Sequence, residues 1–300
     1  GKKIEIPNNI GVINKDTVIG EKKLSDYREL TKVVIPSSVK TIGAIPPKNE
    51  DKKKVAENSV FVNCTDLEEV IISGSVKSIK YAFYNCNNLE TVTIQYGVKS
   101  IGNNAFNCCT SLTEIVIPNS VEFIDRYAFN GCTSLTEITI PDSVKTIGEK
   151  AFRGCTSLTK ITILDGVKSI GYSAFNGCTS LKKITIPDGV KSIGYDAFYY
   201  CTSLKEITIP DSVTSIGNNA FENCTSLNQI VIPNSVKTIG EKAFWGCTSL
   251  KEIIIPDSVT SIEKYAFGFC NSLKISAPKH LEGKNIYWGI NYDKVTYREN

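Results

Sequence analysis

The 300-residue chain contains no methionine and only one histidine, His280. The first fact bears on where the natural chain begins, and the second limits the catalytic chemistry that is available. Because position 1 is Gly and no Met occurs, we expect that the natural start is missing, through removal of a secretion signal or through trimming. A Cys–His nucleophile pair would need a thiol near His280, and the nearest in sequence is Cys270. Walker, dinucleotide-binding and HExxH motifs are absent too. We therefore expect no catalytic residue, no metal site and no cofactor.

Long hydrophobic runs and a strong charge of one sign are also lacking. No stretch of about eighteen apolar residues occurs, so we expect no membrane insertion. The 34 basic and 31 acidic side chains leave a net charge of +3, so we expect no nucleic-acid partner. An apolar fraction of 41% is nevertheless enough for a hydrophobic core.

What the chain has instead is a repeat of 23 residues. The letters AFNGCTSL at 128–135 recur unchanged at 174–181, and AFRGCTSL lies between them at 151–158. In the unit LNQIVIPNSVKTIGEKAFWGCTS, the I-x-I piece alternates with period two and predicts a short strand. The following Pro ends the strand, and the Asn-Ser pair after it predicts a turn. The piece AFWGC predicts one helical or 3₁₀ turn.

One such unit is too small to fold alone. Ordering its 23 residues costs about 1–2 kcal/mol each. That total exceeds the gain of about 10–15 kcal/mol from its eight buried side chains, at about 1.5–3 kcal/mol for each large one. Neighbouring units must therefore stack and pair their strands in a parallel sheet, at about 4.8 Å per rung.

The pattern L-x-x-I-x-I-P-x-S-V-x-x-I-G-x-x-A-F-x-x-C-T-S resembles the BspA-like leucine-rich repeats of bacterial surface proteins. The resemblance is strong over residues 60–278 and degraded over 4–43. It implies a mainly β repeat solenoid of the leucine-rich-repeat type: a right-handed β/α or β/3₁₀ arc with a parallel sheet and about 11 rungs of 23 residues. It also implies an extracellular or cell-surface location and, for several family members, adhesion to host or neighbouring cells.

The repeat sets the predicted domain organisation. Residues 1–278 form the solenoid, with degenerate repeats over 1–60, a charged insertion at about 44–59 and regular repeats over 61–278. The insertion, AIPPKNEDKKKVAENS, is either a solvated loop or an interaction loop. Residues 279–300 are rich in aromatic side chains and predict a C-terminal cap over the open end of the solenoid, with a ligand-binding tail as the alternative.

Ten of the eleven cysteines fall in one column, one per repeat, three residues after Phe. This regular spacing predicts free, buried thiols that act as small apolar side chains, rather than disulfides. Cys108 lies outside the column, and we expect it to be the accessible thiol. The column consists of Cys64, Cys86, Cys109, Cys132, Cys155, Cys178, Cys201, Cys224, Cys247 and Cys270.

Two surfaces are candidate ligand sites. The first is a strip of outward strand residues on the concave sheet, although β-branched and alternating charged residues also serve solubility alone. The strip consists of Glu114, Val116, Glu137, Thr139, Lys160, Thr162, Lys183, Thr185, Glu206 and Thr208. The second is a patch of large aromatics at variable positions, for which burial at rung junctions is the alternative. The patch consists of Tyr172, Tyr195, Tyr199, Tyr200 and Trp245.

We therefore expect a non-enzymatic extracellular binding or adhesion protein, monomeric, that recognises a host or neighbouring-cell protein or a glycan through the solenoid surface. One alternative is a structural spacer or display stalk of a cell-surface protein. The other is an enzyme whose chemistry lies in the cap or the insertion, which would need acidic residues converging near His280.

Overall fold

The structure, a computed structural model, describes residues 2–6, 12–13, 17–19, 22–43, 59–62, 64–284 and 287–299. The insertion predicted at about 44–59 lies outside the described residues, apart from Ser59. Each repeat contributes two short strands, which stack on the equivalent strands of neighbouring repeats. No helix in these ranges has the length and hydropathy that a bilayer crossing requires.

The first strand of each repeat carries the predicted I-x-I piece. These strands are β1 (Lys2–Glu5), β5 (Leu30–Ile35), β7 (Glu69–Ile72), β9 (Thr91–Ile94), β11 (Glu114–Ile115), β13 (Glu137–Ile140), β15 (Lys160–Ile163), β17 (Lys183–Thr185), β19 (Glu206–Thr208), β21 (Gln229–Ile230), β23 (Glu252–Ile254) and β25 (Lys274–Pro278). They fall into three parallel sheets, β1 to β11, β13 to β21, and β23 with β25. Within the second sheet, Ile138 lies opposite Ile161 and Thr139 opposite Thr162. Strand β13 ends directly before Pro141, as predicted, because Pro has no N–H to donate to the ladder.

The second strand of each repeat is only two residues long, too short to show a period in the sequence. These strands are β2 (Val12–Ile13), β6 (Thr41–Ile42), β8 (Ser78–Ile79), β10 (Ser100–Ile101), β12 (Phe123–Ile124), β14 (Thr146–Ile147), β16 (Ser169–Ile170), β18 (Ser192–Ile193), β20 (Ser215–Ile216), β22 (Thr238–Ile239) and β24 (Ser261–Ile262). They pair in parallel as well, for example Ile124 with Ile147. The solenoid therefore has a second parallel face.

The A-F-x-x-C piece forms hydrogen-bonded turns, whereas the sequence predicts a helical or 3₁₀ turn there. The residues before Ala and before Cys have positive φ, for example Lys150 at 55° and Gly154 at 71°, and such left-handed residues interrupt a right-handed helix. The Phe129 N–H donates to the Ala151 carbonyl of the next rung at 2.8 Å, so the turns also link the rungs. Short 3₁₀ helices occur elsewhere, at Leu24–Asp26, Lys279–Leu281 and Tyr292–Lys294.

The core is built from columns of identical side chains. Ten fully buried phenylalanines, from Phe61 to Phe267, form one continuous stack. Neighbouring ring centroids lie 5.1–5.7 Å apart, with 2–13° between the ring planes. This stack confirms the prediction that successive repeats share one interior, because each ring contacts the rings of the rungs on either side.

The ten column cysteines are free and buried, as predicted. From the second rung onward each thiol donates to a Phe carbonyl of the preceding rung, for example Cys132 Sγ to the Phe106 oxygen at 3.2 Å. Burial raises the pKa of these thiols, to about 12 for Cys64, Cys178 and Cys270. Cysteine thus supplies a small apolar side chain and a donor at the same position.

The ends of the chain depart from the repeat. Near the N-terminus, β3 (Val18–Ile19) and β4 (Lys22–Lys23) form an antiparallel pair. Near the C-terminus, β26 (Val295–Arg298) pairs in parallel with β25. Trp288 is buried edge-on against Phe267, the last ring of the stack, at 6.4 Å between centroids. The aromatic segment after residue 278 therefore contacts the end of the core.

Candidate ligand-binding surfaces

The strand-face strip consists of the ten outward residues predicted on β11 to β19: Glu114, Val116, Glu137, Thr139, Lys160, Thr162, Lys183, Thr185, Glu206 and Thr208. Nine of them are exposed, and Thr162 is half-buried. Because alternate residues of a strand point to opposite faces, the isoleucines between them are buried in the core. The structure therefore brings all ten predicted residues together on one face.

Along the strip the charged residues form two central lysines with glutamates on either side. Lys160 and Lys183 lie opposite each other on paired strands. Each has an acidic neighbour on its other side, with Lys160 Nζ 3.8 Å from a Glu137 oxygen and Lys183 Nζ 3.1 Å from a Glu206 oxygen. Exposed pairs of this kind add little to stability. A ligand can therefore replace either partner at small cost.

Exposed aliphatic side chains lie on the same face. Val116, Val231 and Ile254 are 76%, 78% and 58% exposed, although their outward positions are occupied by Thr in the central rungs. Val231 and Ile254 line a depression of about 780 Å³, and Arg298 from the C-terminal strand Val295–Arg298 lines it too. The strip predicted from the sequence stops short of this depression. The sequence does carry a signal for this depression, which is the change from Thr in the central rungs to Val231 and Ile254.

The predicted aromatic patch divides into two parts. Tyr172, Tyr195 and Tyr200 are exposed, and Tyr199 is half-buried against Tyr200 with ring centroids 4.7 Å apart. Trp245 instead packs against Phe269, at 4.8 Å. The structure thus keeps the four tyrosines on neighbouring rungs, and places the tryptophan in a separate pair nearer the C-terminus.

A third surface, which the sequence analysis missed, lies on the A-F-x-x-C turns. We call it the turn-face cavity: it has a volume of about 410 Å³, and its lining residues come from six rungs. Its polar lining includes Asn104, Asn107, Asn130, Ser173, Asn176 and Asp196. Asn104, Asn107 and Ser173 are buried, which is uncommon for polar side chains and marks them as the floor.

Hydrogen bonds hold the floor of the turn-face cavity in place. Asn107 Nδ2 donates to Asn104 Oδ1, and Asn130 Nδ2 donates to Asn107 Oδ1 at 2.9 Å. The Cys108 thiol, the one half-exposed thiol of the chain, also donates to Asn107 Oδ1 at 3.2 Å. Desolvation by burial raises the pKa of Asp196, which also accepts from Asn219 Nδ2 at 3.1 Å. The amides are therefore ordered before any ligand arrives.

Groups for metal or nucleophilic chemistry do not come together. Among the described residues, no cluster of three or more His, Cys, Asp or Glu side chains has metal-binding geometry. A ring nitrogen of His280 lies 2.8 Å from the Val259 carbonyl oxygen, so the backbone is its hydrogen-bond partner. Cys270, the nearest thiol in sequence, is buried and directed at the Phe244 carbonyl.

Comparison with solved structures returns leucine-rich repeat proteins from several bacteria. A leucine-rich repeat protein from Bacteroides ovatus is 27% identical, with 90% of this chain and 92% of that chain covered and a TM-score of 0.37. A leucine-rich cell surface protein from Faecalibacterium prausnitzii is 28% identical, covering 90% and 88%, with a TM-score of 0.43. The leucine-rich repeat protein of T. pallidum is 31% identical, covering 60% and 88%, with a TM-score of 0.49.

No curated protein matches the sequence at a significant level. The model of the BspA-type leucine-rich repeat region does match, in six copies, over residues 54–182 and 168–287. Proteins with this repeat typically bind other molecules and are generally not enzymes. The match extends over more than half of the sequence, and it covers the stacked Phe and Cys columns described above. The chain therefore belongs to the BspA-type leucine-rich repeat family.

Proposed function

We propose that this protein is a non-enzymatic extracellular binding protein, which recognises a protein or a glycan of a host or neighbouring cell through the strand-face strip. The observation that carries the proposal is the set of outward side chains along β11 to β19, of which β13 to β19 pair in parallel in one sheet. A solenoid sheet of this kind is a surface that repeat proteins commonly use for recognition.

The composition of the face suits a macromolecular partner. Interfaces bury an apolar centre and keep a polar rim, and here Thr and exposed aliphatics lie beside charged residues. Val116 supplies exposed apolar area near one end of the strip, and Val231 and Ile254 supply it beyond the other. The Lys and Glu residues between them favour a partner of complementary charge pattern, which raises the association rate more than the affinity.

An extracellular location is consistent with the chemistry of the thiols. A thiolate, not a thiol, is the species that oxidation attacks, and burial raises the pKa of all ten column cysteines. Free cysteines in this column are therefore protected in an oxidising environment. Membership of the BspA-type family supports the same location.

The test is a binding screen of the purified chain against host matrix proteins and a glycan array. The strip variant carries Lys160→Ala, Thr162→Ala and Lys183→Ala. Its matched control carries Lys145→Ala, Lys191→Ala and Thr214→Ala, three exposed residues of the same types away from the strip. We expect the strip variant to lose about tenfold or more in affinity for any ligand that is found, because each lost contact costs about 0.5–1.5 kcal/mol.

A structural spacer is the alternative that the same experiment decides. A spacer needs a stable rod, which the continuous Phe stack provides, but no recognition surface. If no ligand is found, or if the strip variant binds as well as the control, the strand face is not the recognition surface and the spacer is favoured.

A further inference from the structure

The turn-face cavity is separate from both surfaces considered so far. It belongs to the A-F-x-x-C turns, whereas the strip belongs to the first strands of the repeats. Its lining comes from a column directly before Ala and a column directly after Phe, together with Cys108 from the column directly before Cys. Residues of these columns are variable in the repeat, so the core does not dictate them.

The cavity exists because several successive rungs carry side chains that do not fill the space. After Phe, the column reads Asn107, Asn130, Arg153 and Asn176, and then Tyr199, where the cavity ends. At the other end Tyr84, in the same column, forms the boundary. Between these tyrosines the walls and floor are polar, and the volume of about 410 Å³ lies within the range of about 300–1,000 Å³ of small-ligand pockets.

The charges in the cavity nearly balance. Lys150 Nζ is paired with Glu149 at 2.8 Å, and Asp196 interacts electrostatically with Lys150 and Arg153. A phosphate or another multiply charged anion would have to displace these carboxylates. An apolar ligand would cover the buried amides of the floor without satisfying them, which is costly.

Groups capable of further hydrogen bonds remain at the wall and rim. Within the part of the chain that the structure describes, the Asn176 amide and the Arg153 guanidinium have no hydrogen-bond partner. An amide both donates and accepts, which matches a hydroxyl group, since a hydroxyl does the same. The ring of Tyr84 also lines the cavity, whereas the ring of Tyr127 is already contacted by Arg126 and Lys150, at 5.1 and 5.3 Å from its centroid.

We propose that the turn-face cavity binds a short uncharged glycan of one or two pyranose units. Sugars combine many hydroxyl groups with an apolar C–H face, and the cavity offers ordered amides, a serine hydroxyl and the ring of Tyr84. The site does not depend on the strand-face strip, so failure of one proposal leaves the other intact.

Cys108 provides a direct assay for occupancy. It lines the cavity and is the one thiol that is not buried, so iodoacetamide should label it selectively in the native protein. The probes are glucose, galactose, N-acetylglucosamine, lactose and N,N′-diacetylchitobiose, each titrated into the wild-type protein. We expect at least one of them to slow Cys108 alkylation about fivefold or more at saturation, and glycerol at equal concentration to have no effect.

Two variants test whether a bound sugar lies in the cavity. Asn176→Leu removes an unpartnered amide with little change in size, and Asn88→Leu, an exposed position outside the cavity, is its control. Cys108→Tyr fills the cavity by steric bulk, and the fold accepts it because Tyr200 and Phe269 occupy the same column with the same positive φ of 59°. We expect Asn176→Leu to weaken sugar binding about tenfold in saturation-transfer NMR, and Cys108→Tyr to abolish it.

The outcomes are decisive in either direction. Protection of Cys108 by a sugar, with weakening by Asn176→Leu but not by Asn88→Leu, supports the site. Absence of protection by every probe overturns the proposal without requiring any variant to fold. Sugar binding that survives Cys108→Tyr, or that Asn88→Leu weakens equally, also overturns it, because the sugar then binds elsewhere.

Discussion

Replacement of Phe152 by Ala tests the claim that the Phe stack holds the solenoid together. The ring is fully buried, with Phe129 at 5.3 Å on one side and Phe175 at 5.7 Å on the other. Burial in a packed core makes Phe→Ala cost about 3–5 kcal/mol, and the stacked contacts with both neighbours are part of that loss. The exposed Phe269 is the control, and Phe269→Ala should cost less than about 1 kcal/mol.

The position of the two tryptophans makes the effect visible along the chain. Trp245 and Trp288 both lie C-terminal to residue 152, so fluorescence monitors the C-terminal rungs, whereas far-UV circular dichroism monitors all of them. Because rungs contact only their neighbours, a weakened central interface should separate the two halves. In urea, Phe152→Ala should give a dichroism transition that begins well before the fluorescence transition.

Two results would refute this reasoning. One is that the dichroism and fluorescence transitions of Phe152→Ala coincide, with a free energy of unfolding within about 1 kcal/mol of the wild-type value. The other is an equal loss of stability in Phe269→Ala, which would mean that burial in the stack contributes nothing specific.

Three further predictions follow from individual side chains. At mildly alkaline pH, iodoacetamide should modify Cys108 alone in the native protein, because the other ten thiols are buried and burial raises their pKa. After denaturation it should modify all 11 thiols, and several adducts in the intact mass of the native protein would contradict this. Burial also raises the pKa of Asp125, so the folded state binds its proton more tightly than the unfolded state does. The contribution of Asp125 to the free energy of unfolding should therefore rise as pH falls from above the folded pKa to below the unfolded pKa. Asp125→Asn should remove this contribution in urea titrations at several pH values, and an unchanged pH dependence would exclude the effect. Trp288→Ala should expose Phe267 and destabilise the last rungs by about 3–5 kcal/mol. Amide hydrogen exchange should become faster over residues 244–278, and unchanged exchange there would argue against a capping role.

The sequence by itself determined the repeat, the core and the first strands. An apolar residue that recurs every 23 positions must face a shared interior, because no other environment is the same in every rung. This argument placed Phe129, Cys132 and Ile138 in the core, and all three are buried. It also placed the ten residues of the strand-face strip on one face, since strand residues alternate between the two sides.

The tertiary structure alone decided how the variable positions meet. The second strands are too short to leave a pattern, and the left-handed residues of the turns, such as Lys150, belong to types that seldom adopt this conformation. Whether Trp245 contacts Tyr199 or Phe269 depends on side-chain directions between rungs, not on the repeat. The turn-face cavity arises in the same way, because an empty space is a property of several neighbouring rungs together. Residues 23 positions apart in the chain become neighbours only when the rungs stack.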